Sequence, residues 1–402
     1  MFIVNSYLLA VVFCFITMLC WGSWGNSQKL AAKSWRYELF YWDYVIGMVL
    51  FALLIAFTMG SFGTEGRPFL EDLAQVSGKA VGSILLGGAI FNASNILLSA
   101  STSIAGLAVA FPLGVGISLV LGTIINYIGA PAGNPVLLFI GVALIVVAII
   151  CNGVASGKIS SEKKEGANKG IILAAVAGTL MAFFYRFVAA SMDLENFAAP
   201  AGNPVLLFIG VALIVVAIIC NGVASGKISS EKKAGANKGI ILAAIAGTLM
   251  AFFYRFVAAS MDLENFAAPA AGKVTPYTAI VIFSLGVLLS NFVFNTLVMK
   301  KPFVGEPVTY KQYFAGSFKT HLVGVLGGAI WCLGTAFSYI ASGKAGAAIS
   351  YALGQGAPLI AAIWGVFIWK EFKGANKQVY GLLGVMFVLF IAGLGFIIAA
   401  GN

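Results

Sequence analysis

Charge is what this chain has least of. Only 9% of its 402 residues are Asp, Glu, Lys or Arg, too few to keep a folded surface of that size in water, so a soluble enzyme is excluded. Histidine occurs once, as His321, which leaves little room for histidine-based metal or acid–base chemistry. The five cysteines, Cys14, Cys20, Cys151, Cys220 and Cys332, all fall inside apolar runs. Neither a disulfide framework nor a CxxC metal site is on offer, and no metal or cofactor is expected. Met1 to Ser6 contain no Lys or Arg, and the basic cluster Lys29, Lys33, Arg36 follows the first apolar run. A cleavable signal peptide is therefore not expected.

What the chain has instead is hydrocarbon. Hydrophobic residues make up 60% and the mean hydropathy is +0.99. Apolar runs occur at about 7–27, 41–60, 79–100, 104–127, 134–153, 170–190, 203–222, 239–260, 276–299, 321–341, 345–369 and 378–400, each long enough for a helix to cross a bilayer core. This predicts an all-α polytopic membrane protein with about twelve transmembrane helices. The formal charge of +10 could suggest nucleic acid, but the charges sit in short loops between the runs, so the partner they imply is the lipid bilayer. Assigning loops alternately to two sides puts 18 Lys and Arg on one side and 4 on the other. Because basic loops stay in the cytoplasm, this predicts a multi-pass cell-membrane protein with both termini outside.

Two internal repeats divide the chain. Residues 130–198 and 199–267 agree at 67 of 69 positions, differing at Glu165 against Ala234 and Val176 against Ile245. A recent duplication, an engineered insertion and an error in assembling the gene would each produce such a pair. The unit holds two spans, so removing it leaves ten and changes no orientation downstream. The second repeat is older: residue n laid over n+240 aligns Leu86-Gly87-Gly88-Ala89-Ile90 with Leu326-Gly327-Gly328-Ala329-Ile330, with 12 identities in 34 positions from residue 86 to 119. The paired spans are an odd number of crossings apart, so the halves are expected to be inverted in the membrane. The organisation expected is a first half of five helices over 1–153, an inner loop with the duplicated pair (170–190, 203–222) and a second inner loop over 154–237, and a second half of five helices over 238–402. A ten-helix inverted-repeat core of this kind suits alternating access in a secondary transporter.

Polar side chains inside hydrocarbon must find a partner in protein or in a wet cavity. Asn92 and Asn95 stand three apart on one helix face, and Gln355 lies between Gly354 and Gly356 one turn after Tyr351. With Trp21 and Trp24, these residues form the candidate binding set, since amides both donate and accept and indoles can stack on a planar solute. The bland alternative is that the amides join helices and that Trp24, Trp35 and Trp42 belong to an interfacial belt. Asp43, at the mouth of the second span, is the candidate ion-coupling group, with protons the expected ion. Its alternative is a headgroup-level pair with Arg36.

The stretch Ala357-Pro358-Leu359-Ile360-Ala361-Ala362, then Trp364-Gly365 and Trp369-Lys370-Glu371-Phe372, resembles the end of the drug/metabolite transporter superfamily. Cys20-Trp21-Gly22-Ser23-Trp24-Gly25 and Tyr41-Trp42-Asp43-Tyr44 are similar to its ureide permease branch. The resemblance implies ten helices in two inverted fives and a small polar, ureide- or nucleobase-like substrate. That branch in plants also has a long central loop with a phosphate-loop-like motif, whereas Gly166-Ala167-Asn168-Lys169-Gly170 lacks the spacing a phosphate loop needs. A sugar porter or a multidrug exporter of the same superfamily is the alternative. An intramembrane enzyme would need acids, histidines or metal ligands converging at one membrane face, and none do.

Overall fold

The computed structural model describes residues 1–31, 35–63, 65–105, 107–161, 236–370 and 372–401. Among them run α1 (Tyr7–Ala31), α2 (Tyr37–Phe57), α3 (Phe69–Gln75), α4 (Gly78–Ala105), α5 (Leu107–Gly129), α6 (Pro135–Ser161), α7 (Ala236–Ala258), α8 (Pro276–Lys300), α9 (Tyr310–Phe314), α10 (Phe318–Ala345), α11 (Ala347–Gly354), α12 (Ala357–Ile363) and α13 (Lys377–Ala400). A π-helical turn, Trp364–Ile368, extends α12. Nine of the described segments are long and apolar enough to cross a membrane, counting Ala347–Ile368 as one, and Leu113–Gly129 is a shorter apolar helix. These ten match ten of the twelve apolar runs. The other two, 170–190 and 203–222, lie outside the described residues, as do Lys33, Cys220 and Glu371.

Helix is the outcome because a backbone in hydrocarbon has to satisfy its own N–H and C=O groups. Starts are marked in the usual way: Thr275 caps α8 ahead of Pro276, Ser317 caps α10, and Asn376 caps α13 through Val379 N. Leu8, Val388 and Ile391, at 75%, 65% and 66% exposure, face outward as a lipid-facing shell must.

The 240-residue repeat is visible element by element. α4 and α10 each have 28 residues, and both of their ends are displaced by that interval; α5 and α11 likewise start at Leu107 and Ala347. The packing repeats too. α1 lies on α10 as α7 lies on α4, α2 lies on α10 as α8 lies on α4, and α6 pairs with α13, so each contact takes one helix from each half. Glycine permits the approach. A Cβ on Gly328 would strike the carbonyl of Tyr44 while one on Gly47 would strike that of Val325, and at the equivalent crossing Gly88 meets Phe283 and Gly286 meets Leu85. Gly141 and Gly393 do the same for each other's carbonyls between α6 and α13. Hydroxyl ties are likewise paired: Thr17 donates to the Gly334 carbonyl at 2.7 Å and Ser94 to the Ala246 carbonyl at 2.6 Å.

The equivalent helices α4 and α10 begin at opposite ends of α8. Ser77, just before α4, bonds Gly272 near the start of α8. The start of α10 reaches α2, whose first turn accepts from Asn295 near the far end of α8. Among the described residues, α6 comes from the first copy of the 69-residue unit and α7 from the second.

Candidate functional site

The middle of the bundle contains a cavity lined by Trp21, Trp24, Phe91, Asn95, Leu98, Val115, Met250, Phe253, Trp331, Gln355 and Ala357, with about 360 Å³ of empty space including the part open to solvent. Both members of repeat-equivalent pairs contribute to its lining. Phe91 and Trp331 lie 240 positions apart and their rings meet at 4.2 Å between centroids; Val115 and Gln355 form a second such pair in the lining. The cavity therefore sits where the two halves meet.

A broken span puts Gln355 there. Gly354 and Gly356 are poor helix formers, and Pro358 supplies no N–H while its ring would crowd the carbonyl four residues back, that of Gly354. α11 accordingly stops at Gly354 and α12 restarts at Ala357, with Gln355 and Gly356 bridging them through short turns to Tyr351 and Leu353. Trp21 is held by its indole N–H, which donates to Thr335 Oγ1 at 3.0 Å, and its ring stacks on Trp331 at 6.0 Å and 11° between planes. Trp24 packs against Tyr44 at 5.0 Å.

Asn95 is unlike its neighbours. It is 1% exposed and, as in Asn291, neither amide atom makes a hydrogen bond within 3.5 Å; its polar neighbours are the Tyr41 and Tyr44 hydroxyls, which lack close partners of their own. An unmet amide in an apolar interior costs about 1–3 kcal/mol per group. One that lines a cavity can recover this from a bound polar molecule.

Four of the six predicted binding residues, Trp21, Trp24, Asn95 and Gln355, thus share one lining. The other two stand behind it. Asn92 donates to Ser290 Oγ at 2.9 Å, joining α4 to α8. The Tyr351 hydroxyl, buried completely, meets Ser118 and the carbonyl of Met250. The belt alternative for the tryptophans is corrected: Trp24, Trp35 and Trp42 are buried at 4%, 8% and 6%, because each faces another helix. Phe91, Met250, Phe253 and Trp331 were missed by sequence reasoning, since an aromatic or Met in a transmembrane run carries no sign of which face it occupies.

Asp43 lies away from the cavity, toward the start of α2, and is 1% exposed. Three groups from different places converge on its carboxyl group: Tyr313 Oη donates at 2.6 Å, Trp35 Nε1 donates at 3.1 Å, and His321 Nδ1 shares a hydrogen bond of 2.7 Å. Burial, and then the Asp43 carboxylate itself, push the Tyr313 phenol upward, so it keeps its proton and donates. The expected alternative partner, Arg36, is engaged elsewhere. It bonds Glu38 at 2.5 Å and the loop carbonyl of Glu306, two residues along being within easier reach of its side chain than Asp43. Among the described residues, no three of His, Cys, Asp and Glu are grouped so as to hold a metal ion.

Comparison with known proteins places this geometry. A family model described as Ureide permease matches residues 40–183 and 227–400, passing over 184–226 inside the doubled segment. Ureide permease 1 of Arabidopsis thaliana is 24% identical over 412 aligned residues, covering 100% of this chain and 99% of that protein. Ureide permease 2 of the same plant is 23% identical with the same coverage. A protein named for ribose uptake, RbsU of Latilactobacillus sakei, is 26% identical over 187 residues, 45% of this chain and 55% of that one.

Proposed function

The chain belongs to the ureide permease family, whose members are membrane transporters and not enzymes, and on that premise we propose that it is a proton-coupled secondary transporter of a small, uncharged, ureide- or nucleobase-like solute. The solute binds in the central cavity and crosses the cytoplasmic membrane by alternating access of the two halves. The Asn95 amide, which lines the cavity beside three indoles and makes no hydrogen bond within 3.5 Å, carries this reading. A ureide or nucleobase presents adjacent N–H and C=O groups on a flat body, which suits one carboxamide and a stacking ring. Gln355 serves the opposite edge. The repeated helix crossings support two halves that exchange packing, and Asp43, buried yet close to the end of its span, is the ion-coupling residue.

One observation favours a second substrate class. The partial match to a protein named for ribose uptake keeps a sugar as the competing cargo, since hydroxyls also use carboxamides and stack on indoles. A thermal-shift screen of the purified chain against ureides, nucleobases and sugars separates them. A ligand of the folded state at a hundred times its Kd adds about 2.7 kcal/mol of stability. Stabilisation by sugars alone would overturn the ureide assignment.

A further inference from the structure

The two short helices that precede the equivalent spans α4 and α10 are each fastened by one buried aspartate, and the two fastenings differ chemically. At the α3 end, Asp72 is wholly buried and takes Arg67 Nε at 3.1 Å, Gln75 Nε2 at 3.2 Å and the backbone N–H of Thr275, the cap of α8, at 2.8 Å. Its ionic partner is a guanidinium, which keeps its charge at every physiological pH. At the α9 end, Asp43 takes Tyr313 of α9, His321 of α10 and Trp35. No guanidinium or ammonium is among these contacts: Arg36 is paired with Glu38, and Lys311 and Lys319 are exposed. Among the described partners of Asp43, the imidazole is the one side chain of a type suited to taking up and releasing a proton near neutral pH.

We propose that Asp43 and His321 jointly carry the coupled proton, and that this proton locks α9 against α2 and α10 at one end of the molecule only. The inference rests on the proton-coupled reading above and assigns it a partner and a moving part. Access is ordered: the His321 side chain is 24% exposed, whereas that of Asp43 is 2% exposed behind it. The proton arrives from water on the imidazole, whose Nδ1 lies 2.7 Å from the carboxylate. An imidazolium and a carboxylate form a neutral pair with a charge-assisted hydrogen bond, roughly twice as strong as a neutral one. When the proton leaves, a net negative charge remains among apolar neighbours, and α9 loosens to admit water to it. The packing is close enough for a small change to be felt. A Cβ on Gly324 would strike Asp43, and one on Gly316 would lie 2.6 Å from both His321 Nε2 and the Trp35 ring. The Asp72 fastening stays closed throughout because Arg67 cannot give up its proton.

Backbone hydrogen exchange in the full chain, purified into lipid nanodiscs, tests this with an internal control. Between about pH 6 and about pH 8.5, after correction for the intrinsic pH dependence of exchange, protection of residues 310–316 is expected to fall about ten-fold while that of 69–75 stays constant. His321→Gln should abolish the fall. Tyr313→Phe should lower protection of 310–316 at every pH and keep the slope, which distinguishes the titrating group from a general loosening. The inference is overturned if the two segments respond alike or if the slope survives in His321→Gln. Uptake of a labelled ureide into proteoliposomes under an imposed pH gradient supplies the functional arm: His321→Gln should lose accumulation and retain counterflow exchange. If the wild type shows the slope but no gradient-driven ureide uptake, the proposed function fails while the lock stands. If His321→Gln removes the slope and still accumulates, the coupling assignment fails.

Discussion

Single residues divide here into those that hold helices together and those left waiting for a partner. Asn92 and Asn95 look interchangeable in the sequence, three apart on one face, yet one bonds Ser290 at 2.9 Å and the other makes no hydrogen bond within 3.5 Å, with only the Tyr41 and Tyr44 hydroxyls near it. Asn92→Ala should therefore lower thermal stability, by roughly 0.5–1 kcal/mol for one interhelical bond in a membrane, with uptake kinetics near normal. Asn95→Ala should leave stability unchanged or slightly raised, because it removes an unpaid polar group, and should weaken substrate uptake. A stability loss on Asn95→Ala would show a packing role. Asp43→Asn should abolish proton-driven accumulation and spare exchange down the substrate's own gradient; loss of both would mark a structural group. Residue type and spacing made these candidates legible, since an amide in hydrocarbon stands out in any sequence. Which amide has a partner depends on the helix opposite, and a single chain read without its contacts does not contain that. His321 stands out in the sequence only as the single histidine, and packing is what brings it 2.7 Å from Asp43.

At the scale of elements, the legible part was periodic and compositional. Ten described spans fall on ten apolar runs, because length and hydropathy are enough to specify a helix in lipid. The break between α11 and α12 was less visible: residues 345–369 read as one run, although Gly354, Gly356 and Pro358 were there to interrupt it. The paired crossings yield a symmetric prediction. Gly328→Val and Gly88→Val each place methyl groups against a backbone carbonyl of the facing helix, an overpacking of about 3 kcal/mol or more where neither side is a flexible side chain. Both should give poorly inserted or aggregated protein by size-exclusion chromatography. If only one does, the two crossings do not carry equal weight in the fold.

Among the described residues, ten spans pack together and the doubled unit contributes one helix from each copy to them. Deleting residues 199–267 leaves one complete copy and removes an even number of crossings, so insertion and transport should persist; a folded variant without transport would make the duplication functional. The charge asymmetry belongs to this scale as well. A cysteine at exposed Lys311 should react with an impermeant label only after permeabilisation, and one at exposed Glu71 in intact cells, with the reverse overturning the assigned sides. The pairing of Phe91 with Trp331 and of Val115 with Gln355 has one more consequence. A cradle with perfect two-fold symmetry would hold its guest equally well in either of two headings. With phenyl answered by indole and isopropyl by carboxamide, only one heading fits, so the guest should pass through facing the same way from entry to exit, without somersaulting. Trp331→Phe makes one of those pairs alike, and should blur the choice between isomers that differ only in which edge bears the amide, measured by competition for uptake.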